Sequence, residues 1–158
     1  MAHCAGAYQL LPLQYLSAAK IETPMRTNVT GAIMLVKAFR ARGCAVRGSG
    51  VVLVSSVAAF SGAPGLSAYA AGKAALTGFS RTAASELAAG GLRVNRTAMP
   101  GHAGQYLGAE QLEKLRLWHP LGFGEPRDVA RAIAFLLAET GRWITGFALV
   151  LDGGYTLR

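Results

Sequence analysis

Val51-Val52-Leu53-Val54, four consecutive apolar residues of which three are β-branched, runs directly into the polar pair Ser55-Ser56. A run without polar alternation predicts a strand covered on both faces, the position of a strand inside a parallel sheet flanked by helices. Leu92 to Ala98 reads as a second buried strand, ended by Pro100-Gly101, and Phe147 to Leu151 as a third that runs into Asp152-Gly153-Gly154. Gly62, Pro64 and Gly65 break the chain before an Ala-rich helix from about Ser67 to Ala89, which Gly90-Gly91 stops. A further helix is expected from Thr23-Pro24 to about Arg42, with Asn28 and Gly31 as poor helix formers inside it. Ala109 to Trp118 predicts a short helix, and Pro126 to about Glu139 a longer one with Val129, Ile133, Leu136 and Leu137 on one face. Helix, strand, helix, strand, helices, strand is the rhythm of an α/β fold with a parallel sheet. Three strands leave open edges that must pair or be covered, so an incomplete domain or a homo-oligomer is expected.

At 158 residues, 52% hydrophobic and 15% charged, the chain suits one domain with a substantial core and excludes global disorder. The net charge of +8 attracts phosphates in principle. Its local concentration, Arg40, Arg42 and Arg47, has no interleaved aromatics and reads as a solvated helix end, so no nucleic-acid partner is expected. Cys4 and Cys44 lack CxxC spacing, which argues against a zinc site or disulfide framework and for a reduced, cytoplasmic setting; Cys4 reads as a small buried residue. His3 reads as a turn residue, and His102 and His119 show no ligand spacing. The most apolar runs are too short to span a bilayer, so no membrane partner is expected. Trp118 and Trp143 read as packing or interface residues.

Tyr69 and Lys73 lie four apart on the Ala-rich helix and so share a face. An ammonium beside a phenol favours phenolate, which would bring a tyrosine towards the range of a useful acid or base. Ser56, at a strand end, could hydrogen-bond the same substrate oxygen. A lone YxxxK pattern arises often by chance, and its ordinary meaning is a surface pair.

Order and context change that weighing. His3-Cys4-Ala5-Gly6, Asn28-Val29-Thr30-Gly31, Ser55-Ser56, Tyr69 to Lys73, Arg93-Val94-Asn95 and Pro100-Gly101 follow one another, then His119-Pro120-Leu121-Gly122, Glu125-Pro126, Phe135-Leu136-Leu137, Thr145-Gly146 and Asp152-Gly153-Gly154. Over essentially its whole length the chain resembles the short-chain dehydrogenase/reductase family, and its C-terminal part the acyl-carrier-protein reductase-like members in particular. The resemblance implies an NAD- or NADP-dependent oxidoreductase moving hydride between nicotinamide and a small-molecule or acyl-carrier-linked carbonyl or alcohol. It implies Tyr69 as acid/base, Lys73 as the group that lowers the tyrosine pKa and holds the nicotinamide ribose, Ser56 as the substrate-polarising hydroxyl and Asn28 as the holder of a relay water. Ala5, Gly6, Tyr69, Lys73, Pro100 and Gly101 would face the cofactor, and no metal is implied.

The family's Gly-rich phosphate turn and the residue that selects NAD or NADP have no counterpart in the sequence, which begins where the family's fourth strand ends. The fold expected is therefore an incomplete Rossmann-type parallel sheet flanked by helices, residues 1–158 forming one partial domain without the N-terminal βαβ cofactor half. Cofactor binding and turnover by these residues alone are expected to be weak or absent. His3-Cys4 replaces the family's Asn-Asn, Gly72 stands where serine is common, and the threonine usual after Pro100-Gly101 is missing. A non-catalytic interaction subunit, built on the apolar faces of Val29 to Val36 and Ala74 to Leu87, is the alternative.

Overall fold

The structure is a computed structural model that describes residues 1–41, 43–99 and 108–157, with the backbone alone at Gln111. Four parallel strands lie in the order of the chain: β1 (Ala2–His3), β2 (Gly50–Ser56), β3 (Arg93–Met99) and β4 (Ala148–Val150). The three expected strands are present, and β1 is an addition. Two residues carry no periodicity, and β1 exists because the Met1 ammonium donates to the Gly50 carbonyl (2.7 Å) and Val52 N–H donates to the Met1 carbonyl (2.9 Å). His3 is consequently a buried strand residue opposite Leu53, not a turn residue, while Cys4 is exposed rather than buried.

Helices cover both faces of the sheet. Helices α2 (Gly31–Arg40) and α3 (Ser67–Ala88) pack on one face through Ala32, Val36, Leu76, Ala83, Ala84 and Leu87, which meet Val51, Leu53 and Val94. Helix α5 (Pro126–Leu137) covers the other, where a Cβ at Gly50 would stand 3.1 Å from Leu137 Cδ2. Glu125 and Asp128 form a capping box at its start, and Pro126 sits in its first turn, where a missing N–H costs nothing. Helix α4 (Ala109–Arg116) matches the short helix expected there.

The first helical region departs from expectation. Its helix α1 (Ala18–Met25) starts earlier, because the Ser17 hydroxyl accepts a bond from Lys20 N–H (3.4 Å), and Pro24 lies inside it. Arg26–Thr30 then forms a π-helical turn before α2. Proline removes one intrahelical donor, and a wider turn re-forms the ladder beyond it. Asn28, buried in that turn, is aimed inward by the local widening.

Candidate active site

The polar side chains at the centre of the site come from the end of β2, the first two turns of α3 and the π-helical turn before α2. Ser56 is the last residue of β2 and the N-cap of a short 3-10 turn, Val57–Ala59, with its Oγ accepting from Ala58 N–H (3.2 Å). Its side chain also acts on the nearby Tyr69 phenol, in the sense that favours phenolate. Tyr69 lies in the first turn of α3, buried, with the Tyr8 ring edge-on to it at 5.0 Å. Lys73, one turn on and 4% exposed, donates from Nζ to the Val54 carbonyl (2.8 Å) and lies 5.8 Å from the Tyr69 ring centroid. Ser55 fixes this register, because its hydroxyl donates to the Lys73 carbonyl (3.0 Å) and so ties α3 to the strand end.

The electrostatics differ from the expectation of a tyrosine drawn down by Lys73. Burial pushes the Tyr69 phenol above its ordinary value; the Ser56 hydrogen bond opposes this and Tyr8 adds to it. Burial lowers the Lys73 ammonium itself, with Cys4 acting in the opposite sense. Removal from water thus dominates both groups, and each is held towards its neutral form. His3 is likewise pushed down, by burial and then by the Lys73 charge.

Asn28 is fully buried and uses both ends of its amide on one residue: Oδ1 accepts from Ala7 N–H (2.7 Å) and Nδ2 donates to the Ala7 carbonyl (3.1 Å). Its side chain therefore clamps the segment after β1. That clamp keeps Gly6 against the lysine, where a Cβ would stand 3.1 Å from Lys73 Nζ and 3.3 Å from Asn28 Oδ1. Ala5 and Gly6 are exposed, so the end of β1 presents bare backbone beside a buried amine. A flat ring and a sugar hydroxyl fit such a surface, which has donors but no obstructing side chain. Pro100 and Gly101 lie outside the described residues. Tyr8, Ser55 and the Ala7 backbone join the set without having been singled out; Ser55 had a signal in its place beside Ser56, and Tyr8 and Ala7 had none. Among the described residues no group of three or more His, Cys, Asp or Glu is placed to hold a metal ion, and no helix is long and apolar enough to cross a membrane.

The family profile described as enoyl-(acyl carrier protein) reductase matches residues 1–156. Cyclohexanol dehydrogenase of Acinetobacter sp. (strain SE19) is 38% identical over 115 residues, covering 71% of this chain and 45% of the relative. The 3-oxoacyl-[acyl-carrier-protein] reductase of Homo sapiens is 38% identical over 139 residues, 84% of this chain and 56% of the relative. Among solved structures, a 4-hydroxyisoleucine dehydrogenase mutant complexed with NADH and succinate superposes with a TM-score of 0.93 at 25% identity, over 99% of this chain and 68% of that one. The chain spans about half the length of the curated relatives it matches. With a parallel Rossmann-type sheet, a Ser56–Tyr69–Lys73 cluster at a strand end and a profile match from end to end, the chain belongs to the short-chain dehydrogenase/reductase family of oxidoreductases.

Proposed function

We propose that these residues form the catalytic part of an NAD- or NADP-dependent dehydrogenase/reductase acting on a small carbonyl or alcohol substrate, free or carried on an acyl carrier. The carrying observation is the convergence of Ser56 at the end of β2 with Tyr69 in the first turn of α3 and Lys73 one helical turn behind, both of the latter buried. Ala5, Gly6, Tyr69 and Lys73 would hold the nicotinamide end of the dinucleotide, which supplies or accepts the hydride when bound. Tyr69, kept protonated by burial, gives its proton to a substrate carbonyl oxygen, and Ser56 orients that oxygen by hydrogen bonding. Lys73 would donate to the ribose of a bound cofactor and stabilise the phenolate left behind; Asn28 positions Gly6 through Ala7. A protonated tyrosine at neutral pH favours the reductive direction.

The sequence contains no Gly-rich phosphate turn, so affinity for the whole dinucleotide rests on the nicotinamide half, and slow turnover is expected. Two measurements test the reading. Reduced nicotinamide mononucleotide should shift the amide resonances of Ala5, Gly6 and Lys73, an effect that Lys73→Ala removes. Oxidation of NADH or NADPH with a small ketone, if measurable, should disappear in Tyr69→Phe. No shift with the mononucleotide, or turnover surviving in Tyr69→Phe, would overturn the assignment.

A second reading, a non-catalytic subunit that associates with relatives, has one observation behind it. Ile33, Met34 and Leu35 of α2 are exposed. A single scattering mass corresponding to the monomer would count against it.

A further inference from the structure

Two arginines of β3 are buried, and strand alternation sends them to opposite faces. Arg93 is satisfied: Nη1 donates to the carbonyls of Leu136 and Gly141 (the latter at 2.8 Å), and Nη2 to those of Leu137 (2.9 Å) and Gly48 (3.3 Å). Arg96, three residues later, stands opposite Leu53 and Ala148 and so faces α3. It is 4% exposed, and its Nε and Nη1 are buried with no hydrogen-bond partner among the described residues. No carboxylate among the described residues reaches it. Burial draws the guanidinium down, and the like charge of Arg81 adds to the effect. A charge withdrawn from water without a partner is a cost that the rest of the fold must carry.

What the guanidinium does touch is Phe60, with Cζ 5.7 Å from the ring centroid. Half exposed, Phe60 also forms the wall of a cavity of about 440 Å³ together with Ser61, Gly62, Trp118, Tyr155 and Thr156. That volume suits a small molecule. Three of its wall residues are held in place: the Ser61 hydroxyl donates to the Val57 carbonyl (3.1 Å), Thr156 donates to the Asp152 carboxylate from N–H (2.9 Å) and Oγ1 (2.6 Å), and Tyr155 stacks on buried His119 at 5.0 Å. Only the 3-10 turn Val57–Ala59 separates Ser56 from Phe60. At ~2 Å of rise per residue the cavity wall begins about 8 Å from Ser56, within the length of one small substrate.

We propose that Arg96 is the counter-charge for a carboxylate-bearing ligand held in this cavity, so that the neighbouring Tyr69 site acts on hydroxy or oxo acids; the second part rests on the oxidoreductase reading, the first does not. The Phe60 ring is the part of the wall that turns aside to let carboxylate oxygens reach Nε and Nη1. Two charge-assisted bonds then replace one cation–π contact.

The test uses the whole chain without cofactor, titrated with cyclohexanecarboxylate and with its uncharged isostere cyclohexanecarboxamide. The carboxylate should bind at least tenfold tighter, shifting the Phe60, Ser61 and Tyr155 amides and the Trp118 indole, and Arg96→Met should abolish the difference. Equal binding of the two probes by the native chain would overturn the proposal without recourse to any variant. So would a carboxylate preference that survives in Arg96→Met. If the counter-charge comes instead from a second copy of the chain, Arg96→Met weakens self-association and the carboxylate fails to bind, which also overturns it. Carboxylate binding together with oxo-acid reduction that survives in Tyr69→Phe would leave this site standing and remove the assignment of Tyr69. Turnover that is indifferent to a substrate carboxylate would do the reverse.

Discussion

At the scale of single residues, burial outweighs pairing, and this sets the pH behaviour of the site. Tyr69 has a folded pKa raised above 10.0, so the stability it contributes is fully present below that value and is lost as pH rises through the folded pKa. Lys73 has a folded pKa lowered below 10.5; the unfolded chain binds the extra proton between the two values, and stability rises with pH across that window. Absorbance titration should therefore show one tyrosine ionising above the others, identified by its absence in Tyr69→Phe. Ser56→Ala removes the hydrogen bond that favours phenolate and should move that ionisation further up; movement downwards would contradict the assigned donor. Asn28→Ala leaves the Ala7 N–H and carbonyl without partners and should cost about 2–4 kcal/mol in chemical denaturation. The shared face of Tyr69 and Lys73 was legible from their i,i+4 spacing, but that spacing alone reads as a surface pair, and grouping them with Ser56 took the order of motifs along the whole chain. The direction of the tyrosine shift was not legible, since it depends on how completely Tyr8 and the strand end enclose the phenol, a property of packing.

Among the elements, continuous apolar runs announced β2 and the Ala-rich composition announced α3, whereas β1, two residues long, exists through its bonds to β2. The π turn after Pro24 was hidden for a related reason: proline at Thr23-Pro24 reads equally well as a helix start, and Ser17 decides the matter by capping seven residues upstream of Pro24. Gly72 gives a test of how tightly α3 packs on that turn. A Cβ there would meet Asn28 Cβ at 3.5 Å and Met25 Sδ at 3.6 Å, ordinary contact distances, in a helix interior where glycine is unfavourable. Gly72→Ala should therefore stabilise the fold by up to ~1 kcal/mol, measured by thermal or urea unfolding. Gly6→Ala, by contrast, forces a methyl against Lys73 and Asn28 and should weaken nicotinamide mononucleotide binding. On β3 the two arginines should answer oppositely to one substitution. Arg93→Met strands the carbonyls at the end of α5 and should cost about 3–5 kcal/mol, while Arg96→Met removes a buried charge whose Nε and Nη1 have no partner among the described residues and should be neutral or stabilising.

For the whole molecule, the sheet and its helices leave apolar surface without a covering partner among the described residues. Ile33, Met34 and Leu35 lie on the outer side of α2, Phe135 on α5, and Trp143 is 93% exposed beside the edge strand β4, whose far side pairs with no described strand. Exposed apolar side chains next to one another on α2, and a strand edge open to pairing, are the features through which a chain associates. Association is the physical remedy, and we expect the purified chain to self-associate rather than remain monomeric. Two contacts of different character are available, one through α2 and one through the β4 edge, and point changes separate them. Met34→Glu places a charge on the helical face and should dissociate an assembly built there while leaving one built on the strand unaffected. Trp143→Glu should do the converse. Static light scattering across a dilution series reads the outcome: a native mass equal to the monomer at every concentration would remove the expectation. A native assembly that neither variant weakens would place the contact elsewhere on the molecule.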